Sequence, residues 1–295
     1  MLMAVLNGEN FLREQIDSIV NQEGCCVEIQ VGDDGSTDFS LKILSEYVKK
    51  GLIASVIPLN QVGFTVNFLT LLNQVQQDRY VAFSDQDDVW GNEKLRKMLK
   101  VASEDSKPTL VFSRRGYIDR DGKITGTDVI SLVEVSWHNA VVQNIAPGNT
   151  MLLNPAAVDL LKSLGQPDVK YYDSWIYLVL SLLGKVKFVN EDLVYYRLHD
   201  GNAIGLRKNY NFSKALDSID NYLRQAKVVA DSVANRSDLQ TPKSFLMFVN
   251  RISDARMIIK FCAVLRNPIV RQNAFETALF KFGIAWCVLF RTYKI

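Results

Sequence analysis

Three aspartates fall within four positions of the stretch "AFSDQDDVW", residues 82–90: Asp85, Asp87 and Asp88. They follow an apolar run directly, where like charges repel and burial of a charge costs most. A second acidic turn, "GDDGSTD", carries Asp33 and Asp34. Carboxylates grouped in this way suit a hard divalent cation, Mg²⁺ or Mn²⁺, which bridges one or two of them to a diphosphate. The competing reading for Asp85 and Asp87 is helix capping ahead of "NEKLRKML". In the second turn, Asp-Gly and Ser-Thr-Asp are turn and N-cap chemistry, which assigns Gly35 and Asp38 to the backbone and leaves Asp33 and Asp34 open between structure and ligand. Other chemistries lack their residues. No G-x-G-x-x-G follows the first apolar run and no Walker A motif is present. The only histidines are His138 and His199, so no Ser/His/Asp set is indicated.

The elements around these turns alternate. Residues 2–6 form a short apolar run, and Leu12, Ile16, Ile19 and Val20 recur at helical spacing. Strands are expected over 27–31, 54–59 and 79–83. Helix faces are expected from Leu41, Leu44 and Val48, and from Phe68, Leu71, Leu72 and Val75. This βαβαβαβ order predicts an α/β fold with a mainly parallel sheet and helices on both faces. Such sheets bind ligands at the carboxyl ends of their strands. Both acidic turns sit at strand carboxyl ends and therefore share one edge. Further on, "GYIDRDGKI" reads as a hairpin turn and "KVKFVNEDLVYYRLH" as strands. "NPAAVDLLKSLG" and "DSWIYLVLSLLG" read as helices, each closing on a glycine suited to a C-cap.

A chain of 295 residues suits one large domain or a domain with an appended part. Its net charge of +2 is unevenly spread: residues 206–295 hold 15 Lys+Arg against 6 Asp+Glu, and the rest 19 against 26. The basic tail reads as helical and follows no nucleic-acid-binding motif. It can pack on the sheet, form a dimer or lie on an anionic bilayer through Phe275, Phe280, Phe282, Trp286 and Phe290 with Lys281, Arg291 and Lys294. Cys25, Cys26, Cys262 and Cys287 match no zinc spacing and read as small buried hydrophobes in a reducing compartment. Asn7, Glu9 and Asn10 interrupt the first residues too early for a secretion signal, and no apolar run reaches the roughly 18 residues of a membrane span. A cytoplasmic location, at most peripheral on the inner face of the membrane, is expected.

Taken in order, "MAVLNGENFLREQIDSIVNQ", "VGDDGSTD", "NQVGFTVNFLTLL", "FSDQDDVW", "PGNTMLLN" and "YYDSWIYLVLSLLGKVKFVNEDLVYYRLHDGNAIG" resemble family 2 glycosyltransferases of the GT-A fold, in the flavour of bacterial rhamnosyltransferases. The resemblance covers residues 1–207 and leaves 208–295 as a basic helical extension. It implies an inverting, metal-dependent transfer of a sugar, rhamnose among the options, from a dTDP- or UDP-linked donor to a saccharide acceptor. The setting it implies is O-antigen or capsule synthesis on a lipid-linked acceptor. Asp34 would then meet the base of the donor, Asp87 the ribose, and Asp88 the metal, with Asp85 in the same turn. Asp173 in "YYDSW" matches the general base, with helix capping as its structural alternative. His199 falls where relatives carry a histidine near the metal. Gly148, Asn149 and Thr150 match the loop that approaches donor sugar and acceptor, and Asn60, Gly63 and Asn67 a motif near the nucleotide. Trp90 is a sugar wall or a core residue. Leu6 stands where the family commonly has a tyrosine that stacks on the base. A sugar nucleotidyltransferase would need a Gly-rich basic loop that "LNGENFLRE" lacks, and a catalytically weak scaffold module is the non-enzyme alternative.

Overall fold

The computed structural model describes residues 1–128, 135–199, 212–234, 236–253 and 271. The chain runs β1 (Leu2–Val5), α1 (Leu12–Val20), β2 (Gln30–Asp33), α2 (Ser40–Lys49), β3 (Ser55–Pro58), α3 (Gly63–Gln74), β4 (Val81–Ser84) and a two-residue β5 (Val89–Trp90). Then follow α4 (Lys94–Ala102), β6 (Thr109–Ile118), β7 (Ile124–Thr127), α5 (Trp137–Ala140), a 3-10 turn (Gly148–Thr150) and β8 (Met151–Leu153). The last elements are α6 (Pro155–Ser163), α7 (Tyr172–Leu183), β9 (Lys185–Arg197), α8 (Phe212–Val233) and α9 (Lys243–Ser253).

Among the described residues the strands form one sheet in the order β3-β2-β1-β4-β8-β6-β9-β5, with β7 paired to β6. β1 to β4 are parallel, and β8 runs antiparallel between β4 and β6. β6 and β9 are parallel again, while β5 and β7 are reversed. The expected α/β architecture, mainly parallel with covered faces, is what the chain forms. Successive strand residues point to opposite faces. Leu2, Phe83, Leu110 and Phe112 enter one core with α3, α6 and α7. Met3, Val31, Ala82 and Val111 enter the other with α1, α2 and α4. Burial on both faces explains why these strands read as unbroken apolar runs. Each fully buried side chain such as Phe83 contributes about 1.5–3 kcal/mol.

Three local expectations change. The buried face of α2 is Ser40, Ile43, Leu44 and Tyr47, whereas Leu41 and Val48 are exposed. Tyr47 can be buried because its hydroxyl reaches Asp17 Oδ1 at 2.6 Å, so an aromatic with a polar tip displaces two aliphatics. Gly184 ends α7 in an extended conformation, φ −141°, and is not a left-handed cap. A Cβ there would collide with the carbonyl of Pro108, so glycine answers a close backbone approach. Cys25 is half-buried and packs against the second core, whereas Cys26 is exposed, because residues 23–28 run over the surface before β2. Cys262 and Cys287 lie outside the described residues.

The front of the basic tail joins the first core. Leu223, Ala226, Val229, Phe245 and Phe248 are buried there. The rings of Phe245 and Phe248 sit 5.5 and 5.9 Å from Trp137. The aromatic-basic residues between Phe275 and Lys294 lie outside the described residues. Among those described, no helix is long and apolar enough to cross a membrane.

Candidate active site

β1 lies between β2 and β4, and the chain leaves it toward β2. The carboxyl edge therefore opens as a crevice between the loops that follow β1 and β4. Gln86 spans it: its Oε1 accepts the Leu6 N–H at 2.7 Å and its Nε2 donates to the Leu6 carbonyl at 2.9 Å. Leu6 itself is 44% exposed on this edge. The loops after β1 and β2 are laced together. Asn7, at φ +51°, accepts the Thr37 N–H at 2.8 Å, and the Glu9 N–H donates to Asp38 at 3.0 Å. Asp38 also accepts the Ser40 N–H at 2.9 Å, and Gly35 holds φ +89°, so both serve the backbone as expected.

Asp34 is buried at the β2 end of the edge. Its two carboxylate oxygens accept the N–H groups of Val62 and Gly63 at 2.7 and 2.8 Å, which fixes the start of α3. Asp33 Oδ2 accepts from Gly35 and Ser36, while its Oδ1 is buried and meets no donor among the described residues. Asn67 is fully buried and donates to the Gly32 carbonyl at 2.8 Å, locking α3 onto β2 beneath the edge. Asn60 is exposed in the loop after β3, and Gly63 holds φ +80°.

The turn between β4 and β5 holds Asp85, Asp87 and Asp88. None of them caps α4, whose N-cap residue is Glu93. Asp88 is buried, with Oδ2 accepting the Asn149 amide at 2.5 Å and Oδ1 the Arg197 backbone N–H at 3.3 Å. Burial, then repulsion from Asp87, pushes Asp88 up to about 7. Burial, then Asp88 and Asp87, likewise raises Asp85 well above the carboxylate range. Asp87 Oδ2 lies 2.8 Å from His199 Nε2. Beneath the turn, the fully buried Lys94 donates to the Asn149 carbonyl at 2.6 Å and rests 3.4 Å from the centroid of the Trp90 ring. Trp90 is 1% exposed and so belongs to the core, with no face for a sugar. Arg197, equally buried, clamps the turn from β9: Nε donates to the Asp87 carbonyl at 3.0 Å and Nη2 to Glu14 at 2.6 Å.

Crowded carboxylates beside an imidazole are donors that Mg²⁺ or Mn²⁺ takes, and the raised Asp85 and Asp88 mark a turn short of positive charge. The residues fit such an ion. Among the described residues no three His, Cys, Asp or Glu side chains group closely enough to hold one alone. The remaining ligands would come from substrate oxygens and water.

Asp173 occupies the first turn of α7, whose N-cap is Tyr171. Its Oδ2 accepts the Gly148 N–H at 3.3 Å and its Oδ1 the Ser174 N–H at 2.7 Å. Burial raises its affinity for a proton against these two hydrogen bonds. Gly148 is the residue that fits: a Cβ there would strike the Tyr172 hydroxyl. Adjacent residues of one turn thus reach both acidic groups, Gly148 to Asp173 and Asn149 to Asp88.

Residues 1–153 match the family described as Glycosyl transferase family 2. The chain belongs to that family. RfbG of Shigella flexneri, a dTDP-rhamnosyl transferase, is 35% identical over 102 residues, which are 33% of this chain and 35% of RfbG. The match thus spans about a third of that relative's length. TuaG of Bacillus subtilis, named for teichuronic acid biosynthesis, is 32% identical over 207 residues, 68% of this chain and 79% of TuaG. The mannosyltransferase PcManGT of Pyrobaculum calidifontis, solved with GDP-Man and Mn²⁺, superposes with a TM-score of 0.53 at 17% identity. That superposition covers 99% of this chain and 81% of PcManGT, and the shared fold is GT-A.

In this family 2 chain the cleft gathers Asp85, Asp87, Asp88, Gly148, Asn149, Asp173 and His199. Asp34 stands on the same edge, at the end of β2. Thr150 is fully buried, and its hydroxyl donates to the Pro147 carbonyl at 2.7 Å, so it serves the turn. Sequence reasoning missed Gln86, Lys94 and Arg197. Lys94 had a signal: it falls in register with Leu95, Met98 and Ala102 on the buried face of α4, where a lysine needs a partner.

Proposed function

We propose that the protein moves a glycosyl group from a nucleoside-diphosphate sugar to a hydroxyl of a saccharide acceptor, with inversion, in the synthesis of a bacterial surface polysaccharide. The observation that carries this reading is the single turn, Gly148–Asn149, which ties a basic carboxylate, Asp173, to the acidic turn at Asp88. An inverting transfer needs those two functions at a fixed separation: one to take the acceptor proton, the other to meet the leaving diphosphate. Asp173, with its raised proton affinity, accepts the hydroxyl proton as the acceptor oxygen attacks the anomeric carbon. The electron pair of the breaking bond stays with the diphosphate.

Asp88, with Asp85, Asp87 and His199 beside it, would hold Mg²⁺ or Mn²⁺. The ion supplies charge neutralisation of the diphosphate when bound. Asn149 and the Arg197 backbone orient Asp88. Asp34, at the β2 end of the edge, is assigned to the donor base. RfbG's donor makes dTDP-rhamnose the first sugar nucleotide to test. We further assign residues 1–207 to the transferase domain and 208–295 to an extension that approaches a lipid-linked acceptor at an anionic membrane surface.

Calorimetric titration with dTDP, UDP and GDP, each with Mn²⁺ or EDTA, tests the reading. Metal-dependent binding of one diphosphate, abolished in Asp88→Ala, is expected. Absence of binding to all three would overturn it.

A further inference from the structure

Arg115 has no place in the reading so far. It sits on β6 with Tyr117 two residues on, and Tyr196 of β9 is the register partner of Tyr117. The guanidinium carbon lies 5.0 Å from the Tyr196 ring centroid and 5.6 Å from that of Tyr117, within cation–π range of both rings. Asp128, just past β7, accepts from its Nε at 2.9 Å. Asp128 in turn is bonded by the Tyr117 hydroxyl, and its own N–H donates to the Arg115 carbonyl at 2.9 Å. The inner edge of the guanidinium is therefore held at Nε.

The outer side is not. Among the described residues only Asp128 and the Tyr117 hydroxyl interact with the guanidinium as polar side chains, and neither terminal nitrogen is sealed from solvent without a partner. The side chain is 21% exposed. The Tyr196 ring beside Arg115 belongs to the residue before Arg197, whose N–H donates to Asp88, so a single β9 position links the guanidinium to the acidic turn. Across the sheet, β2 and β1 carry the base-side loops, β4 carries the acidic turn, and β6 lies beyond it past β8. Arg115 thus lies on the β6 side of the acidic turn, away from the β1 and β2 loops.

We propose that Arg115 is a substrate-binding residue for phosphate oxyanions: its two outward N–H groups grip the donor diphosphate from the side opposite the nucleotide loops. This rests on the transferase reading above. A planar fork pre-oriented by an ion pair and two rings suits two phosphate oxygens better than a flexible ammonium does. As the glycosidic bond breaks and its electron pair stays on the diphosphate, the hydrogen bonds strengthen with the growing charge.

The test compares wild type with Arg115→Gln and Arg115→Lys by calorimetry, using dTDP, UDP and GDP and the corresponding monophosphates in the presence of Mn²⁺. In Arg115→Gln the diphosphate Kd is expected to rise about 10- to 100-fold, the range for a charge-assisted hydrogen bond. The monophosphate Kd stays within about twofold, and the apparent Mn²⁺ affinity within about threefold, because neither probe depends on that grip. Arg115→Lys keeps the charge but loses the planar fork and should fall between, which keeps the test usable if the Gln variant folds poorly. An unchanged diphosphate Kd would overturn the inference and locate any anion contact with the acceptor instead. Parallel loss of Mn²⁺ and diphosphate would also overturn it, since Arg115 would then act only through the carboxylates. Failure of the wild type to bind any diphosphate would overturn the transferase reading itself, and this inference with it.

Discussion

The Nζ of Lys94 lies 2.6 Å from the backbone carbonyl of Asn149, whose side chain holds Asp88. A lysine with no exposed surface therefore positions an acidic residue through an intermediary. Replacing Lys94 by Met keeps the bulk and removes the donor. The unsatisfied buried carbonyl should cost about 1–3 kcal/mol in a denaturant melt. Apparent Mn²⁺ affinity should fall about tenfold as Asn149 loosens, worth about 1.4 kcal/mol. Unchanged Mn²⁺ affinity would show that the turn keeps its place without the lysine.

Asp88 makes the metal-free protein sensitive to pH. Its affinity for protons is higher folded, at about 7, than in the unfolded chain, where an aspartate titrates at about 3.9. Between those two values the native state holds a proton that the unfolded chain has released, so stability should fall as pH rises from about 4 to about 7. Asp88→Asn should flatten this part of the profile and melt higher than wild type at pH 8 in EDTA. Each kcal/mol gained raises Tm by about 2–4 °C in a protein of this size class. A pH–Tm series in EDTA reads both effects, and identical profiles for the two proteins would refute the assignment.

Asp173→Asn should separate chemistry from binding. Loss of a general base lowers turnover by about 100- to 10,000-fold, while diphosphate affinity should stay near wild type. A variant that keeps turnover would remove Asp173 from the reaction.

Gly148→Ala tests the turn. The added methyl meets the Tyr172 hydroxyl, and the Gly148 N–H must then move away from Asp173. Overpacking of this kind costs about 1–3 kcal/mol, and turnover should fall more than nucleotide affinity. A variant with native stability and turnover would mean that Tyr172 yields freely.

The sheet and its loaded edge were legible in the sequence because strands buried on both faces become plain apolar runs, and because acidic turns after such runs are conspicuous. The face of α2 was not, since apolar spacing favours Leu41 and Val48 over a tyrosine that buries its ring and keeps its hydroxyl bonded. In the cleft, residue type marked Asp85, Asp87 and Asp88, yet the cations beneath them stayed hidden. Arg197 is 109 residues from Asp88 and meets it only through the β5–β9 pairing, a tertiary fact with no local trace. Asp34 shows the limit most clearly: its neighbours advertise a turn, but the two amides it accepts belong to a loop 28 residues on.

The tail also reaches the cleft from behind. Tyr222 of α8 accepts the Asn144 N–H at 3.0 Å, three residues before the Pro147–Gly148 corner. Phe245 and Phe248 press on Trp137 at the start of the same segment. A chain cut at residue 207 would strip that segment of its outer wall and leave an apolar scar. The extension is thus poor material for swapping among relatives: a hybrid that exchanged it would trade away the backing of its own Gly148–Asn149 turn.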